Sequence, residues 1–366
     1  MKVTEVKRKE STKHCCGNGC LWRDSAEHEE ETEALIDKRI AQNNAADADR
    51  QASGLLEEIV SRGNLNRAYK RVKKNRGAGG VDGMKVDELL QYLKNNGEEI
   101  RQSILAGKYQ PQPVRRVEIP KDNGKTRKLG IPTAVDRVIQ QAIAQVLTPI
   151  YEPKFAETSY GFRLKRSAHD ALKKSREYLN AGKVWTVDMD LEKFFDIVNQ
   201  SKLMEILARD IKDGRVLSLI HKYLRAGVVW CGRFEDTEVG VPQGGPLSPL
   251  CANIMLNELD HELERRGHRF VRYADDCLIL VKSEKAAKRV MKSMTKYLEE
   301  TLGLKVNVTK SKVERPSGIK FLGFGFFWDK NAYQFKAKPH QISIMRVKEK
   351  LKRLTRRSWS VSFDYR

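Results

Sequence analysis

The chain has 366 residues, 40% of them hydrophobic, and carries 69 Lys and Arg against 48 Asp and Glu, a formal net charge of +21. That length can bury more than one packed unit, and the basic excess goes beyond what solubility needs, so polyanionic partners are expected, with nucleic acid, acidic membrane and acidic protein all open on charge alone. No uncharged apolar run of about 18 residues occurs and the N-terminus lacks a signal-peptide layout, which argues against a membrane span or secretion and for a soluble, cytoplasmic protein. Cys15, Cys16 and Cys20 bunch near the N-terminus, whereas Cys231, Cys251 and Cys277 stand alone in apolar stretches, so no disulfide framework is indicated. His14 with the three bunched cysteines lacks the two-knuckle spacing of a structural zinc site.

Residues 1–52 are polar, with an acidic run at Glu27–Glu33, and read as a weakly ordered N-terminal extension. A helical stripe then begins with Leu55, Leu56, Ile59 and Val60, and the glycine-rich segment from Gly77 to Gly83 breaks it as a loop. Val114–Pro120 and Arg127–Ile131 flank a Lys121-Asp-Asn-Gly124 turn and predict a β-hairpin with a basic rim, followed by a helix over Asp136–Val146. Further strands are expected at Val184–Leu191, Phe270–Val281 and Ile319–Phe327, between amphipathic helices at Leu250–Leu263 and Ala286–Leu302. The mixture is α+β, without the regular alternation of a doubly wound sheet. A basic helix, Ile342–Leu354, leads to Arg366 with no closing element, which reads as a unit cut short, and there is no repeat of fixed period.

Two groups of carboxylates stand out. In the segment from Phe270 to Val281, Asp275 and Asp276 interrupt an apolar run that reads as two strands around a tight turn. Alone, that pair is also what an ordinary surface turn looks like. A second acidic strand, Val184-Trp-Thr-Val-Asp188-Met-Asp190-Leu191, puts Asp188 and Asp190 on one face by its period-two alternation. Phosphoryl transfer from a nucleoside triphosphate uses two hard cations about 3.5–4 Å apart, and magnesium keeps several waters, so two or three carboxylates plus substrate phosphates suffice. Asp190, Asp275 and Asp276 meet that count, with Asp188 either a fourth ligand or, as favoured here, in a structural or supporting role.

Tyr273-Ala-Asp275-Asp276 resembles the Y-x-D-D signature of reverse transcriptases, in the Tyr-Ala-Asp-Asp form frequent in group II intron proteins. Asp190-Leu-Glu-Lys-Phe194-Phe195-Asp196 is similar to the first palm motif, in which an aromatic residue follows the metal-binding Asp by five positions. The resemblance therefore selects Asp190 over Asp188 and makes Phe195 the steric gate that favours deoxynucleotides. Val241-Pro-Gln243-Gly244-Gly245-Pro246-Leu-Ser248-Pro249 resembles the second palm motif, whose loop lies against the incoming nucleotide and template, with Ser248 expected as N-cap and Pro249 at the first helical position. Paired glycines there would let backbone approach a ligand closely.

Softer blocks extend the resemblance over roughly residues 55–360. The hairpin implies triphosphate contacts from Arg115 and Lys121, with Arg127 a third. Asp136-Arg137 falls in another family block, and Arg163 is implied as a template-backbone contact. Lys310, rather than Lys312, fits a position near the leaving pyrophosphate, and Phe321-Leu322-Gly323 resembles the primer grip. Gly245, Pro246 and Tyr273 are assigned to template and primer. The implied architecture is a right-hand polymerase, with helical fingers over 53–185, a palm on an antiparallel sheet over 186–328 and the start of a thumb or maturase domain over 329–366. The implied activity is RNA-directed DNA synthesis with two Mg2+ ions (Mn2+ as substitute), an RNA template, a DNA or RNA primer, deoxynucleoside triphosphates and group II intron RNA. The remaining thumb, the DNA-binding segment and the endonuclease of many relatives are absent from these residues, which puts intron mobility by this chain alone in doubt. Two other readings stand beside it: an RNA-binding splicing cofactor with little polymerase activity, and a domesticated or defence-associated reverse transcriptase.

Overall fold

The computed structural model describes residues 54–120 and 126–355. The N-terminal cysteine cluster, Lys121 and the segment after Thr355 lie outside the described residues. Helices α1 (Leu55–Ile59), α2 (Arg62–Asn75) and α3 (Val86–Leu105) come first. Ser61 starts α2 by accepting a hydrogen bond from the Asn64 amide, and Leu65, Ala68, Tyr69 and Val72 form its buried stripe. The expected hairpin follows as β1 (Val114–Pro120) and β2 (Thr126–Ile131), then α4 (Ala134–Tyr151), capped by Thr133, and α5 (Ala168–Asn180).

The central part comprises β3 (Trp185–Met189), the short α6 (Phe194–Ile197), α7 (Gln200–Asp210), α8 (Gly214–Leu224), β4 (Val228–Trp230), β5 (Arg233–Glu235) and α9 (Ser248–Arg265). Then come β6 (Arg269–Tyr273), β7 (Asp276–Val281), α10 (Glu284–Glu300), β8 (Lys312–Glu314), β9 (Phe324–Asp329), β10 (Gln334–Pro339) and α11 (Gln341–Leu354). The strand expected from Ile319 begins only at Phe324. Residues 321–324 are instead a tight turn, with Phe321 and Phe324 exchanging backbone hydrogen bonds across Leu322 and Gly323, both at positive φ (50° and 84°).

Three sheets result. β6-β7-β3-β8 is wholly antiparallel, as expected for the palm. β2-β1-β4-β5 adds a small sheet to an otherwise helical finger region, through a parallel β1–β4 pairing that sequence reading did not foresee. β9 and β10 form a separate hairpin. One apolar core runs from α1 through α9 and α10 and takes up Val187, Met189, Cys277 and Ile279 from one face of the antiparallel sheet. A second cluster takes Val271, Leu278 and Leu280 from the opposite face. By alternation Asp188, opposite Leu278, and Asp276 belong to that second face, at the end of the sheet beyond the apolar cluster. Among the described residues no helix is long and apolar enough to cross a membrane.

Asp136 ties the fingers together. Its carboxylate accepts hydrogen bonds from the Tyr109 and Tyr223 hydroxyls (2.8 and 3.2 Å), the Thr133 hydroxyl (2.7 Å) and the Gln112 amide (3.2 Å). Burial raises the carboxyl's pKa, and burial together with that carboxylate raises both tyrosine hydroxyls, keeping them protonated donors. Asp136→Ala leaves buried donors without a partner, so urea denaturation should register a loss on the order of 3 kcal/mol, against about 1 kcal/mol for Tyr109→Phe. Equal losses would contradict this hub.

Candidate active site

Antiparallel pairing of β3 with β7 sets Asp188 against Leu278 and Met189 against Cys277, so Asp190 and Asp276 come next in line on neighbouring strands. Tyr273 pairs with Asp276 across the β6–β7 turn, whose first central residue, Ala274, has φ 56° and whose second is Asp275. The chain beyond β3 is braced from the far side: Asn307 N donates to the Asp190 carbonyl (2.8 Å), and Asp190 N donates to the Ser311 hydroxyl (3.1 Å).

The electrostatics show how closely these acids gather. Partial burial, then the charges of Asp276 and Asp190, push the Asp188 carboxyl up to about 7. Asp276 keeps an open surface, yet crowding by neighbouring atoms, followed by the charges of Asp275 and Asp190, raises it to about 6. Lys310 answers part of this, its ammonium lying 3.1 Å from both oxygens of Asp190. Among the described residues no three His, Cys, Asp or Glu side chains close around one point where an ion could sit. The acids share one end of the β3–β7 pair, where like charges repel and a lysine satisfies one of them. The donor set itself fits a hard divalent ion: oxygen ligands, excess negative charge and side chains from adjacent strands.

The Gln243-Gly244-Gly245 loop is held between fingers and palm. Gly130 N donates to the Gln243 carbonyl (2.6 Å) and Arg127 Nε to Gln243 Oε1 (2.8 Å). A Cβ on Gly244, at φ 125°, would lie 2.4 Å from the Gly130 carbonyl, and one on Gly245 would lie 2.2 Å from Gln140 Oε1. Gly244 is thus required by backbone packed against backbone, while Gly245 lies against the end of the Gln140 side chain. Pro246 is half-buried in the same loop. Ser248 is the first helical residue, not the N-cap, and its hydroxyl closes the loop by donating to the Pro242 carbonyl (2.5 Å). Phe195, buried and edge-on to Phe194, accepts a hydrogen bond at its carbonyl from Val241 N (2.7 Å), which joins the two palm motifs directly.

Two arginines expected at phosphates bond within the protein, Arg163 fully and Arg115 in part. Arg163 is buried, and its guanidinium donates to Glu152 and to the carbonyls of Ala156 and Ser159 (2.7 and 2.9 Å), leaving no free donor edge for a template. Arg115 donates twice to the Gly79 carbonyl (3.0 and 2.7 Å) and, with Arg137 on the Arg76 and Ala78 carbonyls, fastens the glycine-rich loop to the fingers. Leu322 and Gly323 form the turn described above, and the Gly323 carbonyl accepts from His340 N and the Ser343 hydroxyl at the start of α11. Sequence reading missed Asn253, Asp260 and Arg272, which lie buried behind the Ala274-Asp275 turn; an arginine and an aspartate within apolar stretches were the only signal.

Residues 119–326 match the protein family described as reverse transcriptase (RNA-dependent DNA polymerase). The Escherichia coli K12 protein YkfC is 33% identical over 339 residues, covering 81% of this chain and 89% of that protein. The group II intron-encoded protein LtrA of Lactococcus lactis subsp. cremoris is 39% identical over 231 residues, covering 63% of this chain but 38% of its own length. A putative COX1/OXI3 intron 2 protein of Saccharomyces cerevisiae is 27% identical over 332 residues, 73% of this chain and 38% of that one. The fold and these matches define a nucleic-acid polymerase that works on an RNA template with divalent metal ions. The chain belongs to the reverse transcriptase family.

Gly244→Ala is expected to prise the loop from the hairpin. Hydrogen exchange at the Gly130 amide should quicken and nucleotide incorporation fall by about 10-fold or more. Unchanged protection of that amide would count against the wedge.

Proposed function

We propose that the cleft copies RNA into DNA with Asp190, Asp275 and Asp276 as ligands of two Mg2+ ions, Mn2+ serving as substitute. The reading is carried by the β3–β7 register, which aligns Asp190 beside Asp276, and is supported by the like-charge crowding that lifts Asp188 and Asp276. When bound, such ions ease ionisation of the primer 3′-hydroxyl and neutralise the departing pyrophosphate. Lys310, next to Asp190, is suited to a position by the leaving phosphates as a mobile point charge. Phe195 limits room at the sugar's 2′ position. Gln243 and Gly244, backed by Arg127, face the nucleotide, while Gly245, Pro246, Tyr273, Leu322 and Gly323 support template and primer. Fingers, palm and thumb are taken to divide near residues 185 and 328. Intron RNA is a further partner in this reading, engaged in the cytoplasm, and the chain spans only 38% of the LtrA relative that suggests it.

The crowded carboxylates yield a test on stability and activity together. A carboxyl whose folded pKa lies above its unfolded value costs stability once the pH exceeds the unfolded value, so the charged cluster opposes folding at neutral pH. Asp276→Asn should therefore melt higher than the native chain without divalent metal, lose most of the rise in melting temperature that millimolar Mg2+ produces, and extend a primer on an RNA template at least about 10³-fold more slowly. Native extension by Asp276→Asn would end this assignment.

For the sugar gate, Phe195→Ala should raise ribonucleotide incorporation relative to deoxynucleotide. No change in that ratio would remove Phe195 from the role.

A further inference from the structure

Behind the β6–β7 turn lies an ion pair with almost no solvent contact, the Arg272 and Asp260 side chains being 1% and 0% exposed. Arg272 Nε and Nη2 grip the Asp260 carboxylate of α9 as a fork (2.7 and 2.6 Å). The third nitrogen, Nη1, is divided between Asn253 Oδ1 (3.0 Å) and the carbonyl of Ala274 (2.9 Å). Ala274 immediately precedes Asp275 and holds a left-handed φ of 56°, which an alanine adopts only at a cost. The turn is pressed from the other side by Gly161, where a Cβ would lie 2.2 Å from Ala274 N. Asn253 Nδ2 donates to the Gly161 carbonyl (2.8 Å), closing the circuit back to α9.

A buried ion pair is a poor device for stability alone, since well-packed apolar residues of similar size often do as well or better. What apolar residues cannot supply is a donor aimed at one backbone oxygen. Lysine cannot supply it either while it serves Asp260, because only the planar guanidinium offers separate nitrogens in a fixed fork. We propose that Arg272 is the positioning residue of the Asp275-Asp276 turn: anchored on Asp260, it holds the Ala274 carbonyl and so fixes where both carboxylates stand. The assignment rests on the reading of those aspartates as the metal-binding centre.

The test compares the native chain with Arg272→Lys, with the double variant Arg272→Met/Asp260→Leu, which removes the pair without leaving a buried unpaired charge, and with Asp276→Asn as control. Single-turnover extension of a DNA primer on an RNA template, Mn2+ binding by electron paramagnetic resonance and thermal melting are measured on each. Arg272→Lys and the double variant should fold and bind primer–template as the native chain does. Both should bind Mn2+ several-fold more weakly and extend about 10- to 100-fold more slowly, the scale that a misplacement of about 1 Å produces. Native rates and native Mn2+ affinity in either folded variant would overturn the proposal, as would rate losses that follow melting temperature with Mn2+ binding unchanged. Failure of both variants to fold would make the pair an element of stability alone and also overturn it. If Asp276→Asn extends normally, the metal-centre reading falls and takes this one with it; if that control is inactive while Arg272→Lys is native, only the positioning role falls.

Discussion

The pairing of β3 with β7 brings negative charges together that would otherwise move apart. Asp188, Asp190, Asp275 and Asp276 repel one another, and the lifted carboxyls of Asp188 and Asp276 register that opposition. Apolar packing on both faces of the sheet holds the strands that carry them: Val187, Met189, Cys277 and Ile279 lie in one core, Leu278 and Leu280 in the other. Because side chains alternate along a strand, a slip of one residue would send the acids to the wrong face and an apolar residue into the cleft. The register is therefore fixed by the same hydrophobic set that stabilises the fold.

A cluster under such tension needs rigid neighbours, and these are built largely from arginines turned inward. Arg115 and Arg137 fasten the glycine-rich loop, Arg163 ties together the segment after α4, and Arg272 holds the β6–β7 turn. In each case a guanidinium satisfies backbone carbonyls that no strand or helix pairs. Part of the basic excess is thus structural, and counting positive charges overstates how many face a polyanion. Glycine does the complementary work. Gly244 and Gly161 lack a side chain where backbone must pass against backbone, so palm and fingers meet without a gap.

Much of this was legible beforehand. Period-two alternation located β3, and an apolar run interrupted by two aspartates located the β6–β7 hairpin. Local chemistry was misread where a long-range contact won. Ser248 looks like an N-cap but reaches back to Pro242. The strand expected from Ile319 yields to a turn because Leu322 and Gly323 take left-handed conformations. Helix α3 and the β4–β5 hairpin went unread, the latter because three-residue strands carry too little periodicity to be seen.

By itself the sequence pointed to the class of chemistry through resemblance, since the Tyr-Ala-Asp-Asp string, the Asp190–Phe195 block and the Gln-Gly loop are short strings that stay recognisable in any arrangement of the rest. It also put Asp188 and Asp190 on one face of β3, because alternation is local. Tertiary structure alone decided which basic side chains are free and which are consumed. Arg163, Arg115 and Arg272 read alike as positive charges, and only the folded path of the backbone shows which carbonyls each guanidinium meets.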